Sequence, residues 1–467
     1  MYTADEKKQL EKLAKGILPR SLEKIHLNTA GIDISPKIHA VAVPEGRDPA
    51  GQNVRQFGPT TPELKAIAQW LRECGVESVA MESTGVYWVP MFEILEACGF
   101  EVILVHANAF RNVPGKKTDI QDCQWLQTLH TYGLLRGCFR PAEDILSLRS
   151  YSRERQDLIE MRSSQVQKMQ KALDQMNVLV HRAVSDITGL TGMNIIRAIV
   201  GGESDPKKLA TFRNRRCHKS EQKIEEALSG NFLERHLFSL KIALEQYDHL
   251  QGLIQVCELK MEESFIQQMP NALAEPPADE IEARLVKFRP RKGDPHFNLP
   301  LLAKKMLGVD CTAIDGISIR TMMTFVCEVG YDLSPWKTAE HFTSWLALCP
   351  GNHKTGGVQR SGRTRKSSNR LAQAFRNAAN TLHKNKGPLG VYLRKMKATL
   401  GKAKAITATA HKLARVVYVM IKEGKEYDSE LLKNQNPKQQ RSSLKGLKRW
   451  AAEMGYELVP QAATESC

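Results

Sequence analysis

Between residues 28 and 142 apolar positions come in short runs broken by polar turns, the pattern of a layered α/β domain. The stretch G-I-D-I-S-P-K-I-H-A-V-A-V predicts two strands, at 32–34 and 38–43, joined by a turn at Ser35-Pro36-Lys37. A third strand is expected near 53–57. Thr61-Pro62-Glu63 opens a helix, with Thr61 as N-cap and Pro62 at the first helical position. A buried strand at 78–81, a helix at 86–98, a strand at 102–105 and a helix at 118–132 follow. A hairpin plus strand, then alternating helix and strand, makes a mixed α/β sheet of about five strands.

From about 143 to 269 the period changes to that of helices. Ile159, Arg162, Val166, Met169, Leu173, Met176 and Val180 recur three and four apart. A second seam runs Leu233, Leu237, Leu240, Leu244, Tyr247, Gln251, Ile254, Glu258, Met261. The two describe either a helical hairpin on its own domain or an antiparallel coiled coil that makes a dimer. Polar seam positions (Arg162, Gln251, Glu258) favour the dimer, since they set register or partner. Residues 189–219 interrupt the helices with Gly201-Gly202 and basic residues. A Pro- and charge-rich stretch at 270–298 reads as a linker. An all-α domain is expected over 299–430, and 431–467 is a polar tail. Its opening, with Asp315-Gly316-Ile317 between two helical runs, has the form of a helix–hairpin–helix or of an ordinary αα-turn.

Charge narrows the function. The chain has 467 residues and a formal net charge of +16. From 351 to 422 there are 17 Lys and Arg and no Asp or Glu, on helices that keep apolar periodicity. That predicts a folded positive face for a polyanion. Residues 1–27 form a basic helical arm without the apolar core of a signal peptide. No apolar run is long enough for a membrane span. Ten cysteines without a C-x-x-C pair argue against structural zinc and disulfides, and fit reduced thiols in a cytoplasm.

Four acids stand out by position. Asp33 follows the first strand in G-I-D, Glu82 ends the apolar strand in V-A-M-E, and Asp119 and Asp122 lie three apart at a helix start. Acids at adjacent strand ends and one helix start can converge at a sheet edge. Converging carboxylates repel and need a cation; hard oxygen donors and phosphate suit Mg²⁺. Lys116 and Lys117, just before, are placed to hold a phosphate backbone.

GIDISPKIHAVAV, MESTGVYWVPMFEILEACGFEVILVHA, NVPGKKTDIQDCQWLQTL and the block from Leu348-Cys349-Pro350-Gly351 to Ala379 resemble the transposases of the insertion sequence 110 family, most closely its 1111 branch. The resemblance covers 28–142 and 299–428. It implies a RuvC-like domain of the RNase H fold, with Asp33, Glu82, Asp119 and Asp122 as a D-E-D-D tetrad. It implies a C-terminal domain whose serine attacks DNA and becomes covalently linked, with target choice guided by a structured non-coding RNA. It also implies a dimer or tetramer held partly by coiled coils, acting on the bacterial nucleoid. By spacing from Leu348-Cys349-Pro350 the nucleophile falls on Thr355, a departure from serine; Ser361 is the alternative hydroxyl. Arg360, Arg363, Arg365, Lys366 and Arg370 follow at once and would clamp phosphates near the scissile bond.

The leading expectation is therefore a recombinase that cleaves through a Thr– or Ser–DNA link and religates without ATP, since no G-x-x-x-x-G-K-[ST] run is present. Two rivals stand beside it. One is a RuvC-like nuclease hydrolysing branched DNA with metal-bound water, which needs the tetrad but neither hydroxyl. The other is a non-catalytic nucleic-acid-binding relative.

Overall fold

The computed structural model describes residues 23–83, 85–106, 118–217, 219–269, 278–351, 353–356, 358–429 and short pieces between 448 and 457. It divides into two compact units, Met1–Arg140 and Pro141–Cys467.

The first unit is a five-stranded sheet in the order β3-β2-β1-β4-β5. Its strands are β1 (Thr29–Ile34), β2 (His39–Ala42), β3 (Val54–Phe57), β4 (Ser78–Glu82) and β5 (Glu101–Val105), with helices α1 (Thr61–Glu73), α2 (Trp88–Ala97) and α3 (Asp119–Thr131). β1, β2 and β3 pair antiparallel, while β1, β4 and β5 run parallel. This is the expected mixed sheet. One detail differs at α1: Thr60, not Thr61, is the N-cap. Glu63 reaches back to take the Gly58 N–H at 3.0 Å and the Thr60 hydroxyl at 2.8 Å, which fixes the chain one residue earlier.

Strand alternation gives the sheet two unlike faces. Ala30, Ile32, Ile34, Val41, Val43, Val79 and Met81 join Leu64, Ile67, Leu71, Met91 and Leu95 in the large core under α1 and α2. The opposite face is lined by small side chains. Ala40 and Ala42 pack on Cys123 of α3, and Ala80 packs beside Leu126 and Leu129. Gly31 shares that face. A Cβ there would stand 2.3 Å from the Cys123 carbonyl and 2.4 Å from the Gln127 nitrogen, so the backbone of α3 rests directly on β1.

The second unit is helical. α4 (Glu143–Gln175) and α9 (Glu234–Gln268) are its longest elements. Between them lie α5 (Val180–Ala183), α6 (Leu190–Val200), α7 (Pro206–Ala210) and α8 (Glu221–Leu228). The two long helices pair with each other within one chain. The Gln268 amide donates to the Asp144 carbonyl at 3.4 Å, Arg155 meets Glu258 at 2.7 Å, and Arg162 bonds Gln251. Each step up one helix is matched by a step of nearly the same length down the other, so the pairing is antiparallel. All three polar seam residues are engaged inside this hairpin. On α4 the buried repeat is Arg155, Leu158, Gln165, Met169 and Ala172. Leu158 and Gln165 thus take the inward places expected for Ile159 and Val166, which lie on the flank. On α9 the expected seam holds and extends to Phe265.

The stretch read as a linker is partly ordered. α10 (Glu280–Val286) starts at Asp279, whose carboxylate accepts the Glu282 N–H at 2.8 Å. Lys304, 5% exposed, holds Asp279 at 2.9 Å and Glu426 at 3.2 Å. This buried pairing is what orders a charge-rich segment.

The C-terminal bundle comprises α11 (Leu299–Leu307), α12 (Ile319–Val329), α13 (Ala339–Trp345), α14 (Arg370–Thr381), α15 (Pro388–Leu400) and α16 (Lys402–Glu423). A hairpin of β6 (His353–Thr355) and β7 (Val358–Ser361) interrupts it. Its core is aromatic. Trp336, Trp345 and Tyr418 ring Phe342, and the Tyr418 hydroxyl donates to the Trp336 carbonyl at 2.6 Å. Gly316, at φ +87°, faces the Ala378 carbonyl and Leu382. Close packing on α14 therefore explains that glycine as the turn of an αα-corner. Among the described residues no helix is long and apolar enough to cross a membrane, and no disulfide joins the described cysteines.

Arg155 and Glu258 are both 3% exposed in their side chains, so removing Arg155 takes the cation from a buried carboxylate and leaves it only the partly exposed His296. Arg155→Met is expected to lower unfolding free energy by about 3–5 kcal/mol, and adding Glu258→Leu to recover most of it. Urea titration of the full chain checks this; equal losses in the single and double variants would contradict it.

Candidate active site

One candidate site is an edge of the sheet in the first unit. Asp33 lies on β1 two residues after Gly31, on the same face. Glu82 lies on β4 two residues after Ala80, again on the α3 face. The parallel register pairs Ile32 with Met81, so the next step sets Asp33 beside Glu82. Both acids thus project from neighbouring strands toward the helix that covers the small-residue face.

The helix is aligned to meet them. Thr29 and Thr131 touch through their hydroxyls at 2.8 Å, and the Gln127 amide donates to Thr29 at 3.2 Å. Gly31 sits on Cys123 and Gln127. Two strand residues rise about 6.6 Å and four helix residues about 6 Å. Moving two residues up β1 therefore moves one turn back along α3, and Asp33 arrives at its first turn, with Asp119 and Asp122. The Thr118 hydroxyl caps that turn, accepting the Gln121 N–H at 3.2 Å. At the other end His130 Nε2 bonds the Ser78 hydroxyl at 2.8 Å, pinning α3 to β4.

Electrostatics register the convergence. Burial, and then the charges of Glu82, Asp119 and Asp122, push the Asp33 carboxyl up to about 6. Four hard oxygen donors with that mutual repulsion are chemically suited to a divalent cation. Among the described residues no group of three or more His, Cys, Asp or Glu stands close enough to hold a metal as it is. The acids make an open edge and not a closed cage. Lys116 and Lys117 lie outside the described residues. Beyond Glu82 the chain turns at Gly85, φ +60°, and shows Val86 and Tyr87 to solvent, 72% and 47% exposed.

A separate candidate lies in the second unit, on the β6–β7 hairpin. Thr355 ends β6, pairs with Val358 across the turn and is exposed. Gly356 follows at φ +57°, where a Cβ would meet nothing within 4 Å outside its chain neighbours. Ser361 ends β7, opposite His353; its side chain, and that of Arg360, lie outside the described residues. The hairpin base is closed by a bridge between Pro350 and Thr364 and by the Gly351 N–H on the Arg363 carbonyl at 3.0 Å.

The residues of the basic run differ in their surroundings. Arg365 is engaged with the Ser344 carbonyl, and Arg370 lies 3.9 Å from Asp157. Lys366 is exposed. Farther along, Lys384, Lys386, Lys395, Lys397, Lys402 and Lys404 are all exposed. Arg415, by contrast, pairs with Glu340 at 2.9 Å.

Comparison with known families decides what this arrangement belongs to. The DEDD IS110 transposase model matches residues 30–178, and a model described as transposase of the IS116/IS110/IS902 family matches 311–390. The chain belongs to the IS110 family of transposases. No curated protein matches it. As an IS110 transposase it is a DNA-binding, DNA-recombining enzyme. The two matches fall on the carboxylate edge and the Thr355 hairpin, and leave 179–310 between them uncovered.

Sequence reasoning found the four acids but missed Gly31, which brings α3 down onto them. The signal was present, because a glycine inside a strand two residues before an acid marks close backbone approach. His130 was missed as well. Burial pushes it down to about 4, with the charge of His26 adding to the effect. Below pH 6.5 the unfolded chain takes a proton that the folded one refuses. Stability is thus fully present above 6.5 and falls toward pH 4, by about 3 kcal/mol in all. Hydrogen exchange at β1 and β4 amides between pH 7 and 4.5 is expected to show that loss in the native chain and a shallower one in His130→Gln. Parallel pH profiles would contradict it.

Proposed function

We propose that this transposase breaks and rejoins DNA through a covalent link to its own hydroxyl. The Thr355 hydroxyl attacks a scissile phosphorus. An oxygen–phosphorus bond forms to the threonine, the bond to one DNA oxygen breaks, and that oxygen leaves carrying a proton in exchange for the hydroxyl's. Attack by an incoming DNA hydroxyl reverses the step. One phosphoester is kept throughout, so neither water nor ATP enters. Threonine places a methyl beside its nucleophile, and the exposed hairpin tip with Gly356 beside it offsets that crowding. Ser361 is the alternative hydroxyl.

Asp33, Glu82, Asp119 and Asp122 would hold Mg²⁺. The cation would polarise the phosphate and neutralise charge developing on its oxygens. What supports this reading is the convergence of the four acids at one sheet edge, where burial, and then the charges of Glu82, Asp119 and Asp122, push the Asp33 carboxyl up to about 6. Such crowding serves no packing purpose and is relieved by a cation. Arg363, Lys366 and the exposed lysines of the bundle would hold the DNA backbone, with Lys116, Lys117, Arg360, Arg365 and Arg370 in support. Target choice would be guided by a structured RNA encoded with the element. The working form would be a homo-oligomer in the bacterial cytoplasm.

The test is a search for a protein–DNA adduct. Protein purified with the element's RNA is mixed with end-junction DNA and Mg²⁺, quenched in denaturant and mapped by mass spectrometry. The expected adduct lies on Thr355 and is lost in Thr355→Val and in Asp33→Asn but kept in Ser361→Ala. An adduct on Ser361 would move the nucleophile. Cleavage without any adduct, lost only in Asp33→Asn, would replace the proposal with a hydrolytic nuclease.

A further inference from the structure

Residues outside both family matches form a subdomain at the closed end of the α4–α9 hairpin. It has a core of its own: Ile195, Ile196 and Ile199 of α6, Leu209 of α7, and Ile224 and Leu228 of α8, packed on Leu173 and Leu240. Its surface is charged in one place. From 207 to 219 there are six Lys and Arg and no Asp or Glu.

The fold sorts these cations into two kinds. Arg213 turns back on its own loop, with Nε on the Lys219 carbonyl at 2.6 Å and a terminal nitrogen on the Cys217 carbonyl at 2.9 Å. Lys219 bonds the Arg182 carbonyl. The Asn214 N–H donates to the Thr191 hydroxyl at 3.1 Å, and the Asn214 side chain accepts the Arg216 N–H at 3.0 Å. These bonds staple the loop between α7 and α8 onto α5 and the first turn of α6. They leave Arg182, Arg215 and Arg216 exposed, and no ion pair joins their guanidinium groups to the described residues.

Between the two segments runs a groove of about 580 Å³, lined by Arg182, Arg216, Lys219, Asn214, Ser185 and Thr191. Its acid, Asp186, is held by Lys292. Leu190 also lines it, 66% exposed, and Phe212 nearby is 40% exposed. Like charges fixed on a stapled loop repel one another, and an anion relieves that repulsion.

We infer that this tip is a nucleic-acid-binding site distinct from the basic C-terminal bundle, and that it takes an unpaired strand. The guanidinium groups of Arg182, Arg215 and Arg216 hold phosphodiesters, while Phe212 and Asn214 meet unstacked bases by stacking and hydrogen bonding. A groove of that volume admits nucleotides of one strand and not a duplex. The inference rests on the nucleic-acid reading of the chain but not on its cleavage chemistry, so binding is measured in Asp33→Asn, which lacks cleavage but keeps the tip.

In that background the full chain and its Arg182→Ala/Arg215→Ala/Arg216→Ala variant are titrated with labelled oligouridylate, oligodeoxythymidylate of the same length, and a DNA duplex over a range of salt. The salt slope for single strands is expected to shrink by about 2, at roughly 0.7 per lost phosphate contact. The corresponding Arg→Lys triple variant should keep the slope. Phe212→Ser should weaken single strands and spare the duplex, and ultraviolet crosslinks should map to the loop between α7 and α8. The tighter of the RNA and DNA strands identifies the source of the ligand. An unchanged slope without crosslinks in that loop would overturn the site, and a greater loss on the duplex would overturn its assignment to an unpaired strand.

Discussion

The first unit depends on a helix backbone lying directly on a strand. Gly31 has no side chain, and Ala40, Ala42 and Ala80 around it have little. That absence lets α3 approach one face of the sheet while the other face packs the large core under α1 and α2. Because the strands alternate, the face that admits α3 is also the face carrying Asp33 and Glu82. The rise of strand and helix then matches four residues of α3 to two of β1, which delivers Asp119 and Asp122 to the same edge. Packing and chemistry are thus set by one alternation of small and large residues.

The second unit is organised by a hairpin in which charged groups are buried at the seam. Arg155, Glu258 and the Arg162–Gln251 bond fix which turn faces which. Polar seam residues give register at some expense in stability. The fixed register holds the tip subdomain at one end. At the other, Arg149 and Arg153 of α4 bind Glu328 of α12, tying the bundle that carries the Thr355 hairpin to the same scaffold. The family matches cover the two chemical ends and pass over the tip.

Much of this was legible in the chain, for identifiable reasons. Strands and helices of the first unit follow from hydrophobic period, and the four acids from their places at element ends. The seam of α9 was read correctly because its apolar residues are large. That of α4 was read correctly at Met169, Leu173, Met176 and Val180, and one position aside at Ile159 and Val166, where the inward residues include Gln165, which hydropathy places in solvent. Whether the seams paired within a chain or between chains could not be read from period, since both arrangements bury the same residues. The order in 278–298 was hidden for a similar reason: it comes from Lys304 meeting Asp279 and Glu426, a contact between distant residues that each look like surface charge. The basic run after Thr355 looked uniform in sequence, yet Arg365 serves the fold and Lys366 faces solvent.

The most direct test of how the carboxylate edge is assembled uses Gly31→Ala in the full chain. Titration calorimetry with Mn²⁺, a probe for hard divalent cations, is run on native protein and variant, with hydrogen exchange confirming that β1, β4 and α3 still form. If α3 must rest on bare backbone to bring Asp119 and Asp122 to Asp33, the variant binds the ion at least about tenfold more weakly, as displaced supporting groups do at metal sites. Equal binding by a folded variant, or no saturable binding by the native chain, would contradict it.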